Sequence, residues 1–133
     1  MSPEAFAGAV GLIGIGSDLV DIERFRLAYE RRPTLTERLF SPDERAYADR
    51  FADPVSRYAA RFAAKEAVMK ALGVGLGAFA LRDVEVKKAR SGAPSVALYG
   101  KAAALAEDRG VKAWHVTLSH SDLVALAVAV ALG

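Results

Sequence analysis

The sequence predicts an α+β domain with a mainly antiparallel sheet and a long central helix. Helix caps and helical patterns crowd the first half of the chain, and apolar strand patterns fill the second. That segregation points to α+β rather than to alternating βαβ units. The chain has 133 residues, 53% of them hydrophobic, which is material for one core and one domain spanning 1–133. The first ten or so residues read as peripheral.

In order, residues 12–17 read as a strand that ends at Asp18, and a helix follows over about 20–31 until Pro33 interrupts it. A short helical turn fits 34–40. Ser41-Pro42-Asp43-Glu44 is a helix start: a Ser cap, Pro in the first turn and Glu at the capping-box position. That helix should run to about 51. Asp53-Pro54 opens the long helix, and Gly73 is placed to stop it before the flexible Gly73–Gly77 loop. Residues 84–88 and 95–99 read as strands joined by the hairpin signal Ser91-Gly92-Ala93-Pro94. A short helix over 101–109 is stopped by Gly110. Residues 111–118 and 123–132 form a second strand pair. The last is wholly apolar, but its ten residues are too few to span a bilayer as a helix, so it reads as a buried strand.

The absence of cysteine excludes disulfides and thiolate zinc sites. It fits a cytoplasmic protein, as does an N-terminus without a signal-peptide pattern. Net charge is only +2, but from Arg24 to Arg61 there are nine arginines, no lysine and six acids. Such a run is either a solvated face or a docking surface for an acidic partner or a phosphate.

The long helix carries the first candidate chemistry. At about 100° per residue, Tyr58, Phe62, Met69 and Leu72 form an apolar stripe, and Glu66 lies only about 40° from Phe62. A carboxylate at the edge of a core needs a cationic partner. Lys70, one turn on, could be that partner in a helix salt bridge worth about 0.3–0.5 kcal/mol. A metal ion is the alternative. Asp18 reads as a helix-capping acid or as a Mg²⁺ ligand, since that ion takes a few carboxylates plus phosphate oxygens and water. Asp21 could cap the same helix, and Glu23 reads as exposed. His115 reads as an ordinary strand residue. It and His120 fall on opposite faces of a strand, which argues against a His–His–acid zinc site.

Gly14-Ile-Gly-Ser-Asp18 and, about fifty residues on, Arg61-Phe-Ala-Ala-Lys65-Glu66-Ala-Val-Met-Lys70-Ala-Leu-Gly73 together resemble the motifs of one family. That family is the holo-[acyl-carrier-protein] synthases, small 4′-phosphopantetheinyl transferases. Trp114-His115-Val-Thr-Leu-Ser119-His120 resembles its late strand ending in Ser/Thr-His. The resemblance covers roughly residues 12–131. It implies the phosphopantetheinyl transferase fold and Mg²⁺-dependent transfer of phosphopantetheine from coenzyme A to a serine of an acidic apo acyl carrier protein, releasing adenosine 3′,5′-bisphosphate. That activity belongs to lipid metabolism, as in fatty acid biosynthesis, although polyketide and other carriers remain open.

By residue, the resemblance makes Asp18 and Glu66 the metal ligands and Lys70 a catalytic phosphate-binding group. It places Arg61, Lys65, Gly73, Ser119 and His120 at the coenzyme A. The proton of the attacking serine would go to Glu66 or to a metal-bound water. Arg24 matches the position that contacts the carrier, and Arg31, two turns on, can share its face. Arg26 and Arg32 are offset from these. A basic residue near 52–58 can bind the coenzyme A 3′-phosphate in the family. Here the chain looks shorter than some relatives, and Arg50 and Arg57 are the candidates. Ser17 is more polar than the residue often found there. The resemblance also implies a homotrimer with sites between subunits, and neither nucleic acid nor membrane as partner. The rival reading is a non-enzymatic module whose Arg-rich face binds nucleic acid or an acidic protein. It leaves Asp18 and Glu66 unexplained and lacks exposed aromatics suited to base stacking.

Overall fold

Residues 11–133 are described by the computed structural model; the peripheral reading of residues 1–10 lies outside the described residues. The elements are β1 (Leu12–Asp21), α1 (Ile22–Arg31), α2 (Leu35–Leu39), α3 (Pro42–Ala48) and α4 (Val55–Ala71). A 3-10 turn (Leu81–Asp83), β2 (Val84–Lys88), β3 (Pro94–Leu98), α5 (Gly100–Asp108), β4 (Ala113–His120) and β5 (Val124–Leu132) follow. Strands β1, β5 and β4 form one antiparallel sheet in that order, and β2 and β3 form a separate hairpin.

The predicted class holds, with corrections at the edges. β1 continues four residues past its expected end, because β5 pairs with it as far as Asp21 opposite Val124. Its partner comes from the far end of the chain, beyond the reach of any local pattern. Asp18 therefore lies inside the strand, opposite Ala127, rather than at its end. Asp21 caps α1 and accepts a hydrogen bond from the Arg24 amide at 3.0 Å. The capping box of α3 forms as expected, but the helix stops at Ala48, short of 51.

α4 is central, and small residues make it so. Ala59, Ala60, Ala63, Ala64, Ala67 and Ala71 are buried on it, and Ala125, Ala127, Ala129 and Ala131 of β5 are buried on the inner face of the sheet. The approach is closest at β1. A Cβ at Gly14 would overlap the carbonyl oxygen of Ala71, and one at Gly16 that of Ala67. Two strand residues span about 6.6 Å and one i, i+4 helical step about 6.0 Å, so this glycine pair matches two successive helix carbonyls. The match sets β1 in register along the C-terminal half of α4.

The outer face of the sheet is different. Ile15, Leu19 and Leu126 are exposed there. The last strand, read from its unbroken apolar run as a buried strand, is thus buried on one face only within this chain.

Candidate active site

Two cavities flank α4, and no residue lines both. Arg57 and Glu66 are nine residues apart, as are Arg61 and Lys70. At about 100° per residue that is half a rotation, so the helix turns its arginines one way and Glu66 and Lys70 the other. The carboxylate cavity includes β1 residues and the basic cavity includes β4 residues, and these are the two edge strands of the sheet.

The carboxylate cavity has a volume of about 780 Å³ and contains Asp18, Glu66 and Lys70. Phe25, Phe62 and Leu81 give it apolar walls, and Arg24, Arg32 and Arg38 also line it. The Lys70 ammonium donates to Asp18 Oδ1 at 2.9 Å and to the Ser17 carbonyl at 3.0 Å. It turns across to the strand instead of making the intrahelical bridge to Glu66 that the spacing allows. Glu66 is half-buried. Burial pushes its carboxyl above the usual range, the charge of Asp18 adds to this, and Lys70 opposes it. Two adjacent carboxylates, one short of positive charge, suit a hard divalent cation. Among the described residues no group of three or more His, Cys, Asp or Glu could hold a metal ion. The pair would thus leave the remaining positions to water and phosphate oxygens, as Mg²⁺ prefers.

The basic cavity is smaller, about 180 Å³. Arg57, Arg61, Lys87, Lys88, His120 and Tyr47 line it, and among the described residues no carboxylate does. Arg57 Nη1 lies 3.0 Å from His120 Nε2. Its guanidinium stacks 4.2 Å from the centre of the Phe51 ring, and that of Arg61 stacks 3.9 Å from the centre of Tyr47. Burial lowers the pKa of Arg61, whose Nε has no hydrogen-bond partner among the described residues. Burial alone would raise Tyr47, but the hydrogen bond from Lys88 and the charges of Lys88, Arg61 and Arg57 prevail and lower it. Lys87 reaches the Glu85 carboxylate at 3.7 Å. Arg57, Arg61 and Lys88 have no ion-pair partner among the described residues, and three such cations around one cavity make a site for a polyanion.

The structure thus brings Asp18, Glu66 and Lys70 together, and separately Arg61 and His120 with Arg57. Lys65 belongs to neither group, which corrects its expected place at the coenzyme A. It is fully buried, and its ammonium is taken by Glu44 Oε1 and the carbonyls of Leu81 and Val84. Ser119 is also separated from His120. Strand alternation turns it to the outer face, opposite Leu126. Gly73 lines neither cavity; at φ +73° it ends the helix, and the loop beyond brings Leu76 to the carboxylate cavity.

Arg24 and Arg31 border one shallow hollow, together with Arg32. Arg50 is not in the basic cavity, whereas Arg57 is. Tyr47, Lys87 and Lys88 escaped the sequence reading, since nothing in their spacing distinguishes them from ordinary surface residues, and Arg38 entered it only as one of the nine arginines. The nine arginines do not form one face. Arg26 pairs with Asp53 at 2.8 Å and with Glu23, while Arg57 and Arg61 enter the cavity.

The family model of the 4′-phosphopantetheinyl transferase superfamily matches residues 14–129. The chain belongs to this superfamily. A holo-[acyl-carrier-protein] synthase of Streptomyces avermitilis is 45% identical over 124 residues, which cover 93% of this chain and 100% of that protein. Two solved structures share the fold. The holo-acyl-carrier-protein synthase of Plasmodium yoelii aligns at a TM-score of 0.83 with 29% identity, covering 92% of this chain and 95% of that one. The Helicobacter pylori holo-[acyl-carrier-protein] synthase in complex with coenzyme A aligns at 0.78 with 30% identity, covering 90% and 99%. The α+β transferase fold expected from the motifs is the fold of these relatives.

Proposed function

We propose that this chain transfers the 4′-phosphopantetheine group of coenzyme A to a serine hydroxyl of an apo acyl carrier protein. The observation that carries this reading is a single helix with a carboxylate–lysine cavity on one side and a polycationic cavity on the other. In the reaction the serine oxygen bonds to the β-phosphorus, the pyrophosphate bridge breaks on that side, and adenosine 3′,5′-bisphosphate leaves. The serine proton passes to Glu66 or to solvent. Asp18 and Glu66 would hold Mg²⁺, which when bound draws charge from the pyrophosphate and fixes its geometry. Lys70 stabilises charge on the leaving phosphate. Arg57, Arg61, Lys88 and His120 bind the phosphates of the adenosine half, with Arg57 as the 3′-phosphate partner. Most of the rate gain then comes from positioning and charge stabilisation.

The carrier docks on Arg24 and Arg31, and its acidic surface is steered there. Lipid metabolism in the cytoplasm suits this activity, and no helix among the described residues is long and apolar enough to cross a membrane.

The working unit is a homotrimer. Support comes from the two half-sites on opposite flanks of α4 and from the uncovered apolar outer face of the sheet. A closed C₃ assembly covers such a face and can set the basic cavity of one subunit against the carboxylate cavity of the next. Light scattering at working concentration should give a trimer mass, and a monomer would contradict the assembly. The activity itself is tested by incubating apo carriers with enzyme, coenzyme A and Mg²⁺. Mass spectrometry should show a gain of one phosphopantetheine, dependent on the enzyme and the metal. No gain on any carrier would refute the proposal.

A further inference from the structure

Glu44 and Lys65 form an ion pair at 2.7 Å with both side chains fully enclosed. Neither lines the carboxylate cavity. Lys65 also donates to the carbonyls of Leu81 and Val84. Glu44 Oε1 accepts from the Ser41 amide at 2.9 Å, and its Oε2 accepts from the Val86 amide at 3.0 Å. One buried pair therefore ties α3, α4, the 3-10 turn and β2 together. Burial lowers the pKa of Lys65, and Glu44 opposes that shift.

Stability alone is a weak reason for such a pair, since apolar residues of similar volume often serve as well. Its attachment points suggest another. Val86 is followed directly by Lys87 and Lys88, and all three line the basic cavity. Lys88 reaches back to the Tyr47 hydroxyl at 3.3 Å. The opposite wall includes Arg61, one turn before Lys65 on α4. The hairpin has only two strands, an arrangement that is marginal without support. Glu44 grips it by a backbone amide immediately before the two lysines.

We propose that Glu44 and Lys65 are positioning residues, which hold the lysine-bearing hairpin wall against Arg57 and Arg61 at the spacing a phosphate-rich ligand requires. This rests on the reading of the basic cavity as the coenzyme A site. The pair fixes where the cations stand without touching the substrate.

The test is steady-state kinetics on the full chain, varying coenzyme A and apo carrier separately. Lys65→Met/Glu44→Gln keeps the side-chain volumes and removes both charges. It should raise the KM for coenzyme A about tenfold and leave the carrier KM within about twofold. The wild type should prefer coenzyme A to dephospho-coenzyme A, which lacks the 3′-phosphate, and the double variant should lose that preference. A folded double variant with an unchanged KM for coenzyme A overturns the proposal. So does a parallel rise in both KM values with the preference retained, which is the mark of general loosening. If circular dichroism shows the double variant unfolded, Glu44→Gln alone is read against the same criteria, with about a threefold rise expected. Arg57→Ala separates the two failures. If it also leaves the KM for coenzyme A unchanged, the cavity reading itself falls. If it raises that KM and the neutral pair does not, only the positioning role falls.

Discussion

Lys65 and Lys70 lie five residues apart on one helix and in one sequence motif, yet α4 gives them opposite surroundings. Lys65 is sealed against α3 and β2 with every ammonium donor taken by protein. The Lys70 side chain keeps 52% of its surface exposed and meets Asp18 at the wall of a cavity. Membership of a motif therefore does not assign a role. The rotation of the helix does, because one flank packs under the hairpin and the other opens beside β1. The enclosed lysine sets geometry, and the cavity-facing lysine offers charge to a ligand.

Removing each lysine probes this contrast most strongly. Lys65→Ala strands the Glu44 carboxylate in the interior and should cost about 3–5 kcal/mol, read from denaturant midpoints. Lys70→Ala should cost no more than about 1 kcal/mol. It should instead lower kcat about 100-fold with a smaller effect on coenzyme A binding. Equal stability losses would erase the distinction.

The carboxylates of the open flank come next. Asp18→Ala and Glu66→Gln should each lower transfer about 10²–10³-fold with little change in stability. An amide is a poor Mg²⁺ ligand, so near-normal turnover in Glu66→Gln would remove that residue from the site. The glycine contact that brings β1 to this flank should matter less. Gly16→Ala forces a methyl group against the Ala67 carbonyl and should cost about 1–3 kcal/mol. Gly75→Ala, whose Cβ meets only open space, is the matched control.

Arg24→Glu with Arg31→Glu is expected to have the smallest effect. The carrier KM should rise several-fold at low salt, the coenzyme A KM should hold, and added salt should weaken the wild type in the same direction. An unchanged carrier KM would place docking elsewhere.

Much of this was legible in the sequence where the cause is local. Ser41 and Glu44 were read as a capping box, and the box forms. The same Glu44 side chain also meets Lys65 and the Val86 amide, and local spacing could not reveal that second duty. Asp18, Glu66 and Lys70 came together as their motifs implied, but the full length of β1 depended on β5, about a hundred residues away. The basic cavity was only partly visible. Arg61 and His120 carried motif matches, whereas Tyr47, Lys87 and Lys88 reach the cavity through the fold of α3 and the hairpin. The helix stripe was too narrow a picture of α4. Its alanines let it be buried on nearly every side, which no amphipathic pattern records.

The central claim is that the two flanks of α4 are half-sites completed by different subunits. Co-expressing Glu66→Gln and Arg57→Ala chains in equal amounts tests it most directly. Each variant alone should transfer poorly. In mixed trimers, random assembly pairs an intact carboxylate flank with an intact basic flank at about a quarter of the interfaces. Transfer to an apo carrier, measured by mass spectrometry, should recover to about that fraction of the wild-type rate. A mixture no more active than the two variants measured separately would contradict the account.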